Sequence, residues 1–130
     1  MEIGLLLAAI KSRSNEMKKA ILDFIKNKKL QIPLIYTDCE EVTCYIRFYI
    51  PNTKWEFYIY EIDETCDFAN ALVYSPHTHD IPDHGLIPLK DFAAKYTEAF
   101  SNEIDFSLAE IDKTFTPTEL SAVINKYKNG

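Results

Sequence analysis

The chain has 130 residues, three cysteines and a net charge of −6, a length that suits about one domain able to bury its core without metal or disulfide support. The charge is uneven, since residues 1–30 carry seven basic and three acidic groups while the remainder carries seven basic and seventeen acidic. An acidic body disfavours direct nucleic-acid binding, and an odd cysteine count without a CxxC pair points to a reducing compartment rather than a disulfide scaffold.

An apolar run from Ile3 to Ile10 opens the chain, preceded by Glu2 and followed by no small-residue cleavage site. It is too short to span a membrane and wrongly flanked for a signal peptide, so a cytoplasmic location is expected. Leu6, Ile10, Met17, Ile21, Phe24 and Ile25 recur at helical spacing, broken at Ser12, Ser14 and Asn15; two helices or one bent helix before Leu30 are predicted. Met17 is an alternative start to Met1. Pro33 ends helical structure, and Leu34, Ile35 and Tyr36 lead in extended form to an acidic turn at Asp38, Glu40 and Glu41.

From Val42 to Ile62 the pattern is a β-hairpin apolar on both faces. Alternation places Cys44, Ile46, Phe48 and Ile50 on one face of its first strand and Thr43, Tyr45, Arg47 and Tyr49 on the other. In the second strand Trp55, Phe57 and Ile59 oppose Glu56, Tyr58 and Tyr60. Pro51, Asn52, Thr53 and Lys54 supply the turn. One face is core. The other, rich in tyrosine around Arg47 and Glu56, needs a covering helix or a binding partner, and the stripe Met17, Ile21, Phe24 and Ile25 is a candidate cover.

Asp63, Glu64, Thr65 and Cys66 form a second turn, and Phe68 to Tyr74 a third strand that completes a meander. Ser75 to Gly85 is expected to be loop, broken by Pro76, Pro82 and Gly85. Leu89, Phe92, Ala93 and Tyr96 then mark a short amphipathic helix. At the carboxyl end Thr116 and Glu119 fit a capping box with Pro117 at the first helical position, ahead of a buried stripe of Leu120, Val123, Ile124 and Tyr127. The expected fold is a single α+β domain over residues 1–130. An antiparallel meander of three to four strands packs against amino- and carboxy-terminal helices.

Three groups of residues are candidates for chemistry. The hairpin's second face offers Tyr45, Arg47, Tyr49, Glu56, Tyr58 and Tyr60 as a binding surface, because tyrosine and arginine bring large apolar area with a polar tip. Glu61, Asp63, Glu64 and Asp67 cluster at the second turn, where solvation and backbone hydrogen bonding are their ordinary roles. His77, His79, Asp80, Asp83 and His84 have ligand spacing for a metal, although no partner that would orient the imidazoles is visible nearby. Cys44 alternates into the core, Cys39 and Cys66 flank turns, and no catalytic cysteine is expected.

Several short pieces in order resemble the DUF2958 family, small bacterial proteins of unknown function often carried on mobile elements. They are Leu34, Ile35 and Tyr36; Phe48, Pro51 and Trp55; Glu61, Asp63 and Glu64; Gly85 ahead of the Leu89 segment; and Ile111, Asp112, Phe115, Pro117 and Leu120. The resemblance spans about Ile21 to Val123 and leaves residues 1–16 as an amino-terminal extension. It implies a fold and a mobile-element context, and no mechanism.

The leading expectation is therefore a non-enzymatic cytoplasmic protein, without cofactor, that binds another protein or itself through an aromatic or acidic surface. An accessory or anti-defence role, with acidic charge imitating nucleic acid, would suit a mobile element. The alternative is a metal-binding module or metal-dependent hydrolase built on His77, His79 and His84.

Overall fold

A computed structural model describes residues 16–35, 41–78, 81–89 and 105–129. The expectations placed on residues 3–15, on Tyr36, Asp38, Cys39 and Glu40, on His79 and Asp80, and on the helix after Leu89 lie outside the described residues.

The amino-terminal helix, α1, is described over residues 16–28. It closes on Lys29 in the left-handed conformation, φ 54°. The Leu30 amide donates to the Ile25 carbonyl at 3.0 Å and the Lys29 amide to the Lys26 carbonyl at 3.2 Å, the bond pair of a Schellman cap. Seven described strands follow: β1 (Thr43–Cys44), β2 (Ile46–Tyr49), β3 (Glu56–Ile62), β4 (Phe68–Tyr74), β5 (Asp83–Pro88), β6 (Glu110–Ile111) and β7 (Thr118–Glu119); α2 (Leu120–Asn129) comes last. An antiparallel sheet has the order β5-β4-β3-β2-β6, and β1 pairs separately with β7.

The chain is thus α+β with the expected meander, widened to five strands. The β2–β3 turn matches its sequence. Asn52 takes φ 64°, and the Thr53 hydroxyl donates to the Ile50 carbonyl at 2.7 Å. Two strands of this sheet go beyond the expected ones. Residues 83–85, expected in a loop, lie in β5, because a strand at the margin of the sheet tolerates Gly85, a terminal Pro88 and the flanking Pro82 while β4 supplies the pairing. β6 is only two residues long, too short to carry a periodic signal.

Residues opposite one another in a ladder share a face, and the register defines both. On the first face Ile46, Phe48, Phe57, Ile59, Ala71, Val73 and Ile87 join Trp55, Phe106 and Leu89 in one core. α1 covers it with Ile21 and Phe24. Trp55 is buried there, stacked on Phe57 at 6.1 Å and edge-on to Phe106 at 5.5 Å between ring centroids. On the second face Tyr58, Leu72 and Tyr74 pack with Val123 of α2, flanked by Leu120, Ile124, Tyr127 and Phe115. The stripe of α1 therefore covers the tryptophan face, and its candidacy as cover for the tyrosine face is corrected: α2 packs there, over one end.

Cys44 and Tyr45 also exchange faces relative to the expected alternation. The Tyr45 amide donates to the Ile59 carbonyl at 2.8 Å while Ile46 is the ladder partner of Ile59. Two residues therefore oppose one, and this bulge reverses the parity of everything before it. Cys44 joins the α2 core, and Tyr45 packs against the α1 core. A second irregularity between Ile59 and Glu61 leaves Tyr60 as the extra residue of β3, so Tyr60 and Glu61 both stay on the second face.

The expected helix start at Pro117 is corrected as well. Thr118 and Glu119 pair with Cys44 and Thr43, and the Leu120 amide donates to the Val42 carbonyl at 2.8 Å. Strand pairing thus takes the place of the first helical turn and occupies the Leu120 amide, and the Thr118 hydroxyl donates to the Thr116 carbonyl at 2.8 Å.

Candidate binding cleft

The second face is built from cross-strand rows. Tyr49, Glu56 and Tyr74 form one, and Arg47, Tyr58, Leu72 and His84 the next. Arg47 is the only cation in these rows, and a half-buried guanidinium requires acceptors. Glu56 supplies one: Arg47 Nε donates to Glu56 Oε1 at 2.9 Å and Nη2 to the same oxygen at 2.6 Å. Asp112, just beyond β6, supplies another, accepting from Nη1 at 3.0 Å. The Asp112 amide also donates to the Arg47 carbonyl at 2.8 Å, so backbone pairing delivers this carboxylate. Tyr58 donates its hydroxyl to Glu56 Oε1 at 3.0 Å. The guanidinium lies 4.8 Å from the Tyr49 ring centre, within cation–π range.

α2 lies over one end of these rows. Its Tyr127 ring stacks on Tyr74 at 3.6 Å and 12°, while Tyr58 meets Tyr74 edge-on at 6.1 Å and Phe115 at 5.7 Å. The Tyr74 hydroxyl is buried and has no hydrogen-bond partner among the described residues. Between helix and sheet remains an open cleft of about 450 Å³, lined by Arg47, Glu56, Tyr58, Phe115, Thr118, Ala122, Val123, Lys126 and Tyr127. Its base carries the paired Arg47 and Glu56, its walls are aromatic and aliphatic, and Lys126 stands exposed at its rim.

Two groups at the base are held in their protonated forms. Burial would lower the Arg47 pKa, but the bonds and charge of Glu56 prevail and raise it. Burial, then the charge of Glu56, also raise the Tyr58 phenol. Both groups stay protonated near neutrality. The two described thiols are equally inert, since burial pushes Cys44 up to about 12 and Cys66 up to about 11.

Of the expected binding residues, the cleft gathers Arg47, Glu56 and Tyr58. Tyr49 lies under the Arg47 guanidinium but does not line the cleft; it faces a separate hollow beside Glu110, whose hydrogen bond and charge raise the phenol pKa. Tyr45 is on the opposite face. Tyr60 meets His84, with its hydroxyl 3.1 Å from Nδ1, and Glu61 accepts from Asn70 Nδ2 at 2.7 Å. Asp63 serves its turn: Oδ1 accepts from the Asp67 and Phe68 amides at 2.7 and 3.0 Å, and Oδ2 from the Thr65 hydroxyl at 2.7 Å. Glu64 is exposed on the same turn.

Among the histidine-loop residues, Asp83 and His84 are neighbours on β5 and so point to opposite faces. His77 belongs to the Ser75–Thr78 turn, its amide donating to the Ser75 hydroxyl at 3.1 Å. Among the described residues no three histidine, cysteine or carboxylate groups converge as a metal would need.

Asp112, Phe115, Lys126 and Tyr127 were missed as site residues. The hydrophobic stripe of α2 was legible, but its target face was not. One hint existed: an arginine on an otherwise apolar strand face needs acceptors from elsewhere in the chain.

Comparison with family models, curated proteins and solved structures gives no significant match. What the fold and site define is an α+β protein with a cleft between an antiparallel sheet and its carboxy-terminal helix. No helix of the described residues is long and apolar enough to cross a membrane.

Proposed function

We propose that the protein acts by binding another protein, which inserts one aromatic or aliphatic side chain into the cleft beside α2. The observation that carries this reading is the cleft itself. Tyr58, Phe115, Val123 and Tyr127 wall a space of about 450 Å³ whose base is fixed by the Arg47–Glu56–Asp112 network. Interface anchors commonly combine such an apolar pocket with rigid polar groups at its margin. The net charge of −6 supports a partner with a basic surface, steered by charge. The resemblance to DUF2958 proteins adds the context of a mobile-element accessory or anti-defence factor working in the cytoplasm.

The test is affinity capture from the native host with quantitative mass spectrometry, comparing the wild-type chain with Ala122→Trp. Ala122 lines the cleft and is exposed, so a tryptophan there fills the space while removing no core contact. A partner enriched by the wild type and lost by a folded Ala122→Trp variant is expected. Equal capture by both would overturn the reading.

A further inference from the structure

α2 covers only one end of the second face. Beyond the row that ends in His84 this face continues through Asn70 and Leu86, then Phe68 and Pro88. There Leu34, Phe68 and Leu86 are 46%, 39% and 51% exposed. With Ile35, Asp63 and Glu64 they line a shallow hollow of about 320 Å³.

We infer that this hollow is a second docking surface, for an extended segment of a partner protein that places an aliphatic side chain on Phe68 and Leu86 and a lysine or arginine beside Asp63 and Glu64. Three large apolar side chains grouped at one sheet end, rimmed by charge, are the ordinary mark of an interaction site. The sign of the charge selects the occupant. Asp63 is held rigid and ionised by the amides of Asp67 and Phe68 and the hydroxyl of Thr65, so a cationic group meets a preorganised carboxylate. A second copy docked by a two-fold axis would set these carboxylates against their own equivalents, which disfavours self-association here. Extended conformation is favoured because β5 is an edge of the sheet among the described residues, and an edge strand offers backbone groups to an added strand. The surface lies outside the α2 cleft and stands independently of the function proposed for it.

The experiment titrates the full chain by calorimetry with two short synthetic peptides, one alternating leucine with lysine and one alternating leucine with glutamate. The leucine–lysine peptide is expected to bind saturably, with affinity reduced roughly tenfold or more in Leu86→Ser and in Glu64→Lys and unchanged in Ala122→Trp. The leucine–glutamate peptide is expected not to bind. Equal affinity across all variants would reduce the interaction to diffuse attraction by an acidic body, and loss in Ala122→Trp alone would move it to the cleft. Self-association of the free protein abolished by Leu86→Ser would seat a second copy on the hollow. Each of these three results overturns the inference.

Discussion

Arg47 has the most demanding position in the molecule, since one guanidinium joins two carboxylates that no other described cation neutralises at bonding distance. The side chains of Arg47, Glu56 and Asp112 are 24%, 15% and 21% exposed, between the surface regime, where a pair contributes about 0–1 kcal/mol, and the buried one, where breaking a pair costs about 3–5. Arg47→Ala should therefore destabilise by roughly 1–3 kcal/mol in denaturant unfolding. Arg47→Lys should recover less than half of that, because an ammonium cannot contact both carboxylates in the fork geometry. Full recovery by lysine would show that charge alone matters at the site. The sequence disclosed Arg47, Glu56 and Tyr58 as a group because they alternate along one hairpin. It could not disclose Asp112, which reaches Arg47 through the short strand β6 across 65 positions of chain.

Among the elements, α1 shows how a local rule can be obeyed by the wrong residue. Lys29 occupies the left-handed position of a Schellman cap, where a side chain meets its own carbonyl and glycine does not. Lys29→Gly should raise the stability of the folded chain by about 0.5–1 kcal/mol, seen as a higher melting temperature. A lower melting temperature would mean that the lysine side chain contributes more than its backbone strain costs. The strands were legible to different depths for equally local reasons. β4 matches its expected limits because clear turn residues bound it on both sides, although Asn70 alone interrupts an otherwise apolar run and the pattern itself is poor, whereas the limits of β1 and β2 depend on the Tyr45 bulge, which has no signature in hydrophobicity. The start of α2 shifted from Pro117 to Leu120 because pairing with β1 competes with capping, a tertiary effect that the Thr116–Glu119 motif cannot reveal.

At the scale of the whole molecule, the described residues place a five-stranded sheet between two helices, with α2 over one end of its second face. Both helix stripes were visible in the sequence. Which face each would cover was not, since the two hairpin faces are nearly equal in apolar content. The acidic body also sets the response to pH. Burial raises the Asp63 pKa, but the Phe68 and Asp67 amides and the Thr65 hydroxyl outweigh it and hold the carboxyl below its ordinary value. Bonds from Thr65 and Lys18 lower Asp67. For Asp112 burial again opposes, and Thr114 and Arg47 lower the pKa. Groups depressed in the folded state add stability that is present above the unfolded aspartate value of about 3.9 and lost as pH falls through the folded values. These three carboxylates should therefore leave the melting temperature flat from neutrality to about pH 5 and lower it steeply below about pH 4. Asp63→Asn should flatten the acid limb, and an unchanged limb would remove Asp63 from the account.

The most direct test of the binding cleft is amide hydrogen exchange on the chain alone and with its captured partner. Protection on binding should fall on residues 118–127 and 56–58, the helix and strand that wall the cleft. Protection confined to α1, or none in either segment, would contradict it.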